Sequence, residues 1–593
     1  MVTVLETKWS KYYGDYAFTP DIDVNKSAYG ALKDTAGRHP DRVAVEYGRR
    51  KFTYGELISL IDRYASIFAA QGIGRGSNVM ISCRRMPHQI ISFFALNKIG
   101  ASAIFVMRNA RPEVFGKLGQ TLKASHMIFS VDIFNKYKHL FMHTPIRQII
   151  LARSSDYSTS ADVLNPNIWD LKKNESYDPG QDNAGGGPEV VFWTDLMNGE
   201  YPEAEEVSEP DNTAVYFMSG VAAGPVNIVK HSSRSLNSQA MISAFLLGKG
   251  VNRVFSFIRM DFSFGMCFAM YTTLVSGNTY LINTQRDLEF SGRDINNYRP
   301  DVVIGYPQMI SALIDSRRIN TRTMSSIKTI CSCGNIMTGS EYHRIKDFFS
   351  KKNLAPKIMR IYGITETASV YMFLPEDEIR PFALGIPVPG VRMKIINPDN
   401  NGEQMNGTPG VIAVNTPSGM SGYVNADDDT NTVLRRLNDG DIWVISGDLG
   451  TEGEDGMFYF GGTRRRLFDR GGMHVYPQLI EDEIRSVLGV DDCCAVPLER
   501  DGRTIVKVAV KPDSSILFNN DRLNELKDAI ELMCEMEMPE PMRPDEYEFM
   551  AYLPAEKYGR VDYEKIISMF KEEDDEQKDN QNIGSAAGTV DDV

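Results

Sequence analysis

"IYGITETAS", Ile361–Ser369, is the stretch on which the reading of this chain turns. Its start completes the run "KIMRIYG", which ends in glycine and so reads as the end of a strand. Gly363 lets the backbone bend there, which brings Tyr362, Thr365 and Glu366 together on one tight turn. A tyrosine ring can stack on a purine, a threonine hydroxyl can donate to a phosphate, and a glutamate can hold Mg2+ against phosphate oxygens. The same residues equally describe a strand-to-helix turn capped by Thr365.

Two further segments sit on either side. Downstream, "VISGDLG" sets Asp448 after Gly447 where a strand closes, offering a carboxylate to a pair of ribose hydroxyls or serving as a turn aspartate. Asp455–Gly456, seven residues on, reads as a hairpin turn. Upstream, "FMSGVAAGPVNIVKHSS" is a strand ending in a glycine-containing turn. Ser219, Gly220 and Gly224 there can turn backbone N–H groups toward a phosphate, although such turns also occur with no ligand.

The surroundings predict an α/β fold. "KFTYGELISLIDRYASIFAAQGI" reads as a strand, a turn and an amphipathic helix; "NVMISCR", "PHQIISFFALNKIG" and "SAIFVM" repeat the rhythm. Strands alternating with helices imply βαβ units and parallel sheet. Residues 153–212, rich in Ser, Asn, Asp, Gly and Pro, interrupt this as a surface excursion. Alternation resumes at "TAVYFMSG" and runs through "DVVIGYP", "SIKTICSCG" and "KIMRIYG". After "TRRRLFDRGG" the pattern becomes a separate α+β set, so the expected organisation is a large N-terminal domain, 1–463, and a small mobile domain, 464–570. Residues 571–593, opening on "KEEDDEQKDNQ", are expected as an acidic disordered tail.

Composition narrows the function classes. A chain of 593 residues is too long for one core, and 42% hydrophobic with 24% charged residues is ordinary for a globular protein. The net charge of −14 argues against nucleic-acid and anionic-membrane partners. Asn97 and Lys98 break the longest apolar run, so no membrane span is expected. "MVTVLETKWSKYYG" lacks the basic-then-apolar pattern of a secretory signal. Seven cysteines without framework spacing read as buried free thiols, which suits a cytoplasmic location.

In this order and at these separations, the segments resemble the adenylate-forming superfamily of acyl-CoA synthetases, nonribosomal-peptide adenylation domains and luciferases. "FTYGEL", "DVVIGYPQMI", "CSCGNIMTG", "LGIPVPGVRMKI" and "GGMHVYPQLIEDEI" add to the likeness, which spans residues 30 to 565, roughly. The resemblance implies a small-molecule carboxylic acid coupled to ATP as an acyl-adenylate, with Mg2+. Transfer to CoA or to a carrier-protein phosphopantetheine then follows, after the C-terminal domain rotates. It implies Ser219, Gly220 and Gly224 by the phosphates, and Gly334, Asn335 and Tyr362 beside the adenine, with Gly363 in the same turn. Thr365 would meet the α-phosphate, Glu366 the metal and Asp448 the ribose. Gly471 and Gly472 would border a thiol tunnel. Phe262, Phe264 and Met266 in "RMDFSFGMCF" suit an apolar acid, and core packing explains them equally well.

Several positions depart from the family's pattern. The phosphate turn carries Val221 and Ala222 in place of hydroxyls, and Val226 in place of lysine, with Lys230 nearby but shifted. A missing donor to an ionised group costs about 1.5–3 kcal/mol of binding. The family's ribose-contacting arginine falls on Thr463 and its hinge aspartate on Arg466; Arg464 and Arg465 lie beside it. The lysine of the adenylation step falls on Arg560, whose planar fork replaces a compact ammonium. A shift of about 1 Å at such a contact costs roughly a hundredfold in rate. The expected function is acyl-CoA synthetase-like ligation, with Arg560, Thr365 and Glu366 as the catalytic set. The alternative is an impaired member that binds nucleotide, acyl-adenylate or a partner protein, or performs only acyl transfer.

Overall fold

The computed structural model describes residues 8–13, 21–108, 110, 112–141, 146–158, 187–219, 227–285, 291–316, 319, 321–337, 339–375, 383–424, 427–470, 473–500, 502–555 and 561–586. The chain forms two compact units. One comprises Met1–Lys394, Ala413–Ser446 and Gly453–Phe458; the other comprises Ile395–Ile412, Gly447–Glu452 and Tyr459–Val593. The smaller unit thus draws on segments well upstream of Thr463 as well as on the C-terminal stretch.

In the larger unit, local sequence explains the first elements. Thr53 accepts a hydrogen bond from the Glu56 N–H at 3.1 Å, and the Glu56 carboxylate accepts one from the Thr53 N–H at 3.0 Å. This reciprocal cap starts the helix Tyr54–Ala70 directly after the strand Arg50–Thr53. The helix Pro87–Lys98 starts with proline in its first turn, where the missing N–H costs nothing. Asn97 and Lys98, at its end, are buried and partnered. The Asn97 amide donates to Ser233 Oγ at 3.0 Å, and Lys98 Nζ lies 2.8 Å from Asp62.

Two sheets carry this unit. One is eight-stranded, in the order Gly422–Tyr423, Asn227–Ser232, Thr213–Ser219, Ser102–Phe105, Asn78–Ser82, His126–Ser130, Gln148–Ala152, Glu189–Phe192. Its strands from Thr213–Ser219 to Glu189–Phe192 are parallel, as βαβ crossovers require. The second sheet places Arg253–Ser256, Val302–Gly305, Thr329–Ser332 and Lys357–Ile364 side by side and parallel. The two inner strands, Val302–Gly305 and Thr329–Ser332, are buried throughout.

The segment expected as a surface excursion departs from that reading at both ends. Glu189–Phe192 is a strand of the sheet, and Trp193 is buried, stacked on Tyr64 with ring centroids 3.8 Å apart. Trp193 Nε1–H donates to Tyr157 Oη at 2.9 Å, and His88 Nε2 lies 3.0 Å from the Asp156 carboxylate. The apolar run "VVFW", Val190–Trp193, is only four residues long and follows a long polar segment, which is why the strand was not read.

The smaller unit is built on a sheet of Val490–Arg500, Arg503–Pro512 and Glu546–Phe549, packed by the helices Pro477–Ser486 and Asn520–Glu537. Cys493 and Cys494, adjacent on one strand, point to opposite faces and enter separate apolar clusters. All seven cysteines are free and buried. The helix Tyr563–Ala586 runs into the acidic run that was expected as a tail. Phe570 is buried, Glu573 lies 3.0 Å from Lys507 Nζ, and Asp574 lies 2.7 Å from Arg500. The acidic run is therefore structured through Asp574, because basic strand residues draw it in. Among the described residues, no helix is long and apolar enough to cross a membrane.

Candidate functional site

The turn at Thr365 joins two strands rather than a strand and a helix. Lys357–Ile364 pairs antiparallel with Ser369–Leu374, and Thr365–Thr367 form a single 3-10 turn between them. Gly363 is required by space: a Cβ there would stand 1.5 Å from the Ser369 carbonyl oxygen. The chain leaves the turn with Ala368 at φ +59° and Ser369 at φ +136°, both unusual for residues with side chains. Such strain persists only where surroundings over-determine it, and here they do. The Thr367 hydroxyl donates toward the Ile364 and Ser369 carbonyls, and Ser418 Oγ–H donates to the Thr367 carbonyl at 3.0 Å.

Glu366 is the centre of the arrangement, with 9% of its surface exposed. Its Oε1 accepts a hydrogen bond from Ser219 Oγ at 2.5 Å and another from Tyr423 Oη at 2.8 Å. Its carbonyl accepts from the Met420 N–H at 2.8 Å. Among the described residues no hydrogen bond reaches Oε2. Register explains the convergence. Ser219 pairs with Asn227, Val215 with His231 and Tyr423 with Val229, so Ser219, His231 and Tyr423 share one face of the eight-stranded sheet.

His231 braces the turn from that face. It is fully buried, and its Nε2–H donates to the Thr365 carbonyl at 2.7 Å while Nδ1 faces Ser235 Oγ at 3.1 Å. Burial pushes its pKa down to about 4, against the upward pull of the Thr365 contact, so the ring is neutral near pH 7. Ser263 Oγ stands 3.5 Å from Thr365 Oγ1 and links the turn to the segment Arg259–Met266.

The same register disposes of Lys230 as a replacement for the absent phosphate-turn lysine. Lys230 pairs with Tyr216, next to the Ile228–Met218 pair, on the opposite face from Ser219. One residue of offset in a strand reverses the face.

A second group lies at the C-terminal ends of three adjacent parallel strands, where open α/β sheets bind ligands. Gly334 has φ +75°, and a Cβ on it would stand 2.3 Å from the Tyr306 ring, so the ring packs directly on the glycine. Asn335 Nδ2 donates to Gln308 Oε1 at 3.3 Å. Tyr362 is half-buried, with its ring edge-on to Tyr371. These residues provide a flat aromatic and amide surface.

Other expected positions fall elsewhere. Asp448 is half-buried inside the strand Ile442–Glu452, which does not close at Gly447 as expected, and it belongs to the smaller unit. Met266 and Phe264 are buried in the π-helical run Phe264–Thr272, whereas Phe262 is half-buried with the Arg259 guanidinium 5.3 Å from its ring centre. Arg466 is pinned within the smaller unit. It makes an ion pair with Glu481 and donates to the Ala495 carbonyl at 2.9 Å, and Glu481 is 2% exposed. Gly220, Gly224, Val226, Gly471, Gly472 and Arg560 lie outside the described residues.

His231, Tyr423, Ser263 and Tyr306 were not singled out from sequence. Isolated residues of these types carry no pattern, and only the pairing of strands far apart in sequence assembles them. The collected chemistry is a buried carboxylate with one oxygen saturated, hydroxyls from Ser219 and Thr365, and an adjoining aromatic surface. Among the described residues, no cluster of three or more His, Cys, Asp or Glu forms a closed metal cage. A single carboxylate oxygen suits Mg2+ that takes its remaining ligands from phosphates and water.

Comparison with known proteins follows the same lines. A long-chain-fatty-acid–CoA ligase of Bacillus subtilis (strain 168) is 22% identical over 556 residues, covering 91% of this chain and 93% of that protein. A 3-hydroxybenzoate–CoA ligase of Aromatoleum sp. (strain CIB) is 24% identical over 489 residues, covering 80% of this chain and 84% of that protein. The ATP-bound structure of MatB from Rhodopseudomonas palustris superposes with a TM-score of 0.71 at 19% identity, over 92% of this chain and 99% of that one. The model of the family described as AMP-binding enzyme matches residues 32–424, a span that contains both sheets' site strands and the Glu366 turn. With that match over most of its length, the chain belongs to the AMP-binding enzyme family.

Proposed function

We propose that this protein activates a carboxylic acid with ATP, forming an acyl-adenylate and pyrophosphate, and then passes the acyl group to the thiol of CoA. The observation that carries this reading is Glu366. A carboxylate fixed on one oxygen by Ser219 and Tyr423 keeps the other oriented for a cation. The likeness over nine-tenths of the chain to a protein named as a CoA ligase supports the choice of thiol acceptor. Carrier-protein phosphopantetheine is the second acceptor to test.

In this reading Mg2+ supplies charge neutralisation between Glu366 and the nucleotide phosphates. Thr365 donates its hydroxyl to the α-phosphate, with His231 holding the turn. Tyr362 stacks on adenine beside Gly334 and Asn335, Gly363 gives the turn its shape, and Asp448 binds the ribose. Ser219, Gly220 and Gly224 approach the phosphates, Gly471 and Gly472 border the thiol path, and Arg560 provides the cation for the first half-reaction. The larger core, a mobile smaller domain and a cytoplasmic location complete the proposal.

Acid-dependent exchange of labelled pyrophosphate into ATP tests it, followed by CoA thioester formation. Exchange with some acid of a broad panel is the expected result. Silence across the panel, with AMP binding still measurable by calorimetry, overturns it in favour of a nucleotide-binding member without adenylation. Exchange switched on only by Arg560→Lys would locate the block at that position.

A further inference from the structure

Four arginines gather at the C-terminal ends of parallel strands from both sheets of the larger unit. Arg84 and Arg85 follow the strand Asn78–Ser82, Arg108 follows Ser102–Phe105, and Arg259 follows Arg253–Ser256. Arg85 ties the sheets together, donating to the carbonyls of Phe257 at 2.8 Å and Gln285 at 3.2 Å. Arg84 lies 2.7 Å from Asp132, and Arg259 binds Asp261 through Nε at 2.9 Å and Nη2 at 2.7 Å. Arg108 differs from these. It is half-buried and, among the described residues, makes no hydrogen bond and no ion pair.

Among the described residues, the four arginines outnumber the carboxylates paired with them. Asp132 and Asp261 each pair directly with one arginine, Arg84 and Arg259, and attract Arg108 from farther off. A third carboxylate, Asp294, interacts with Arg85 and accepts from the Thr284 N–H and hydroxyl and from the Gln285 amide. Burial, then the repulsion of Arg259 and Arg84, lowers the pKa of Arg108. Burial and the same kind of repulsion bring Arg85 down to about 10. A half-buried guanidinium facing like charges is costly unless an anion completes the set. The cluster adjoins the site already described, because Ser263, four residues beyond Arg259, reaches Thr365. The π-helical run starting at Phe264 begins beside it, and such turns occur often at functional positions.

We propose that Arg108, with Arg84 and Arg259 beside it, receives a second carboxylate of the acid substrate, so that the preferred acid is dicarboxylic rather than apolar. This rests on the ligase reading above. A guanidinium fork matches a carboxylate's two oxygens, and among the described residues no carboxylate forms an ion pair with Arg108, although Asp132 and Asp261 attract it. The expectation of an apolar acid rests on Phe262, Phe264 and Met266, and the Arg259 guanidinium stands 5.3 Å from the Phe262 ring centre.

The test compares succinate, glutarate, adipate and phthalate with butyrate, pentanoate, hexanoate and benzoate, by pyrophosphate exchange and by calorimetric binding, in wild type, Arg108→Gln and Arg108→Lys. The expected result is preference for the diacids, with KM for them raised about 10- to 100-fold in R108Q, a charge-assisted hydrogen bond's worth. R108K is expected to recover part of that loss. Preference for monoacids, unmoved by R108Q, overturns the inference and leaves the ligase reading standing. A rise in KM for ATP or CoA instead, with diacid KM unchanged, assigns Arg108 to a phosphate and also overturns it. Absence of exchange with every acid defeats the ligase reading alone. Calorimetry then decides this inference: diacid binding lost in R108Q sustains it, and absence of diacid binding to wild type overturns it. R108Q removes no hydrogen bond to a described residue, and R108K preserves the charge, so a folding failure of one leaves the other to decide.

Discussion

Ser219 and Glu366 are 147 residues apart in sequence, yet the serine hydroxyl meets the glutamate carboxylate at 2.5 Å. The contact joins the end of a strand in one sheet to a turn leaving the other. It aims the carboxylate, since Tyr423 bonds to the same oxygen.

Removing either hydroxyl should therefore loosen a metal-directed carboxylate without removing it. Ser219→Ala or Tyr423→Phe is expected to lower kcat/KM for Mg-ATP in pyrophosphate exchange by about 10- to 100-fold, one charge-assisted hydrogen bond each. Glu366→Gln should cost more and shift the Mg2+ dependence to higher concentration. Equal activity of wild type and S219A across a Mg2+ titration would count against the role given to this contact.

His231 makes stability pH-dependent. Its folded pKa is near 4 and its ordinary value 6.5, so the unfolded chain takes up the proton first as pH falls. The contribution is intact above pH 6.5 and is lost progressively down to pH 4, amounting to about 3 kcal/mol at 1.4 kcal/mol per pH unit. Urea denaturation of wild type and His231→Gln between pH 7 and pH 4 measures it. The gap between the two should narrow or reverse toward pH 4.

The Thr365 turn separates space from strain. Gly363→Ala brings a methyl onto the Ser369 carbonyl and should cost more than about 3 kcal/mol. Ala368→Gly should be nearly neutral: relief of about 1 kcal/mol of left-handed strain offsets about 0.8 kcal/mol of lost methyl burial. Denaturant midpoints for the two variants check both.

Arg466 occupies the position of the family's hinge aspartate, but restoring that residue should harm the protein. Arg466→Asp sets a carboxylate against Glu481, which is 2% exposed, and leaves a buried charge without its Arg466 partner. Loss of about 3–5 kcal/mol from the smaller unit is expected, read as early proteolysis of residues beyond Tyr459. Glu481→Gln alongside R466D should recover part of it.

Much of the fold was legible because its signals are local. The capped helix after "KFT", the apolar strand runs and the glycine at 363 each announce themselves within a few residues. Glu366 was legible for the same reason, as part of a compact motif. His231 and Tyr423 were not, because their roles depend on strand register, and the face that Lys230 takes cannot be read without it. Arg108 is one of two arginines in "FVMRNARPE"; only the meeting of strand ends sets it beside Arg84 and Arg259. The strand Glu189–Phe192 was hidden by the polar segment before it.

Tyr157 and Trp193 close a loop. With the Trp193 indole bonded to the Tyr157 hydroxyl and both flanks anchored by Asp156 and the strand Glu189–Phe192, the chain between them starts and finishes at one place. Loop length enters the free energy only logarithmically, about 0.6 kcal/mol per doubling. The Tyr157–Trp193 bond thus acts as a clasp whose entropic cost depends only weakly on how much chain it spans.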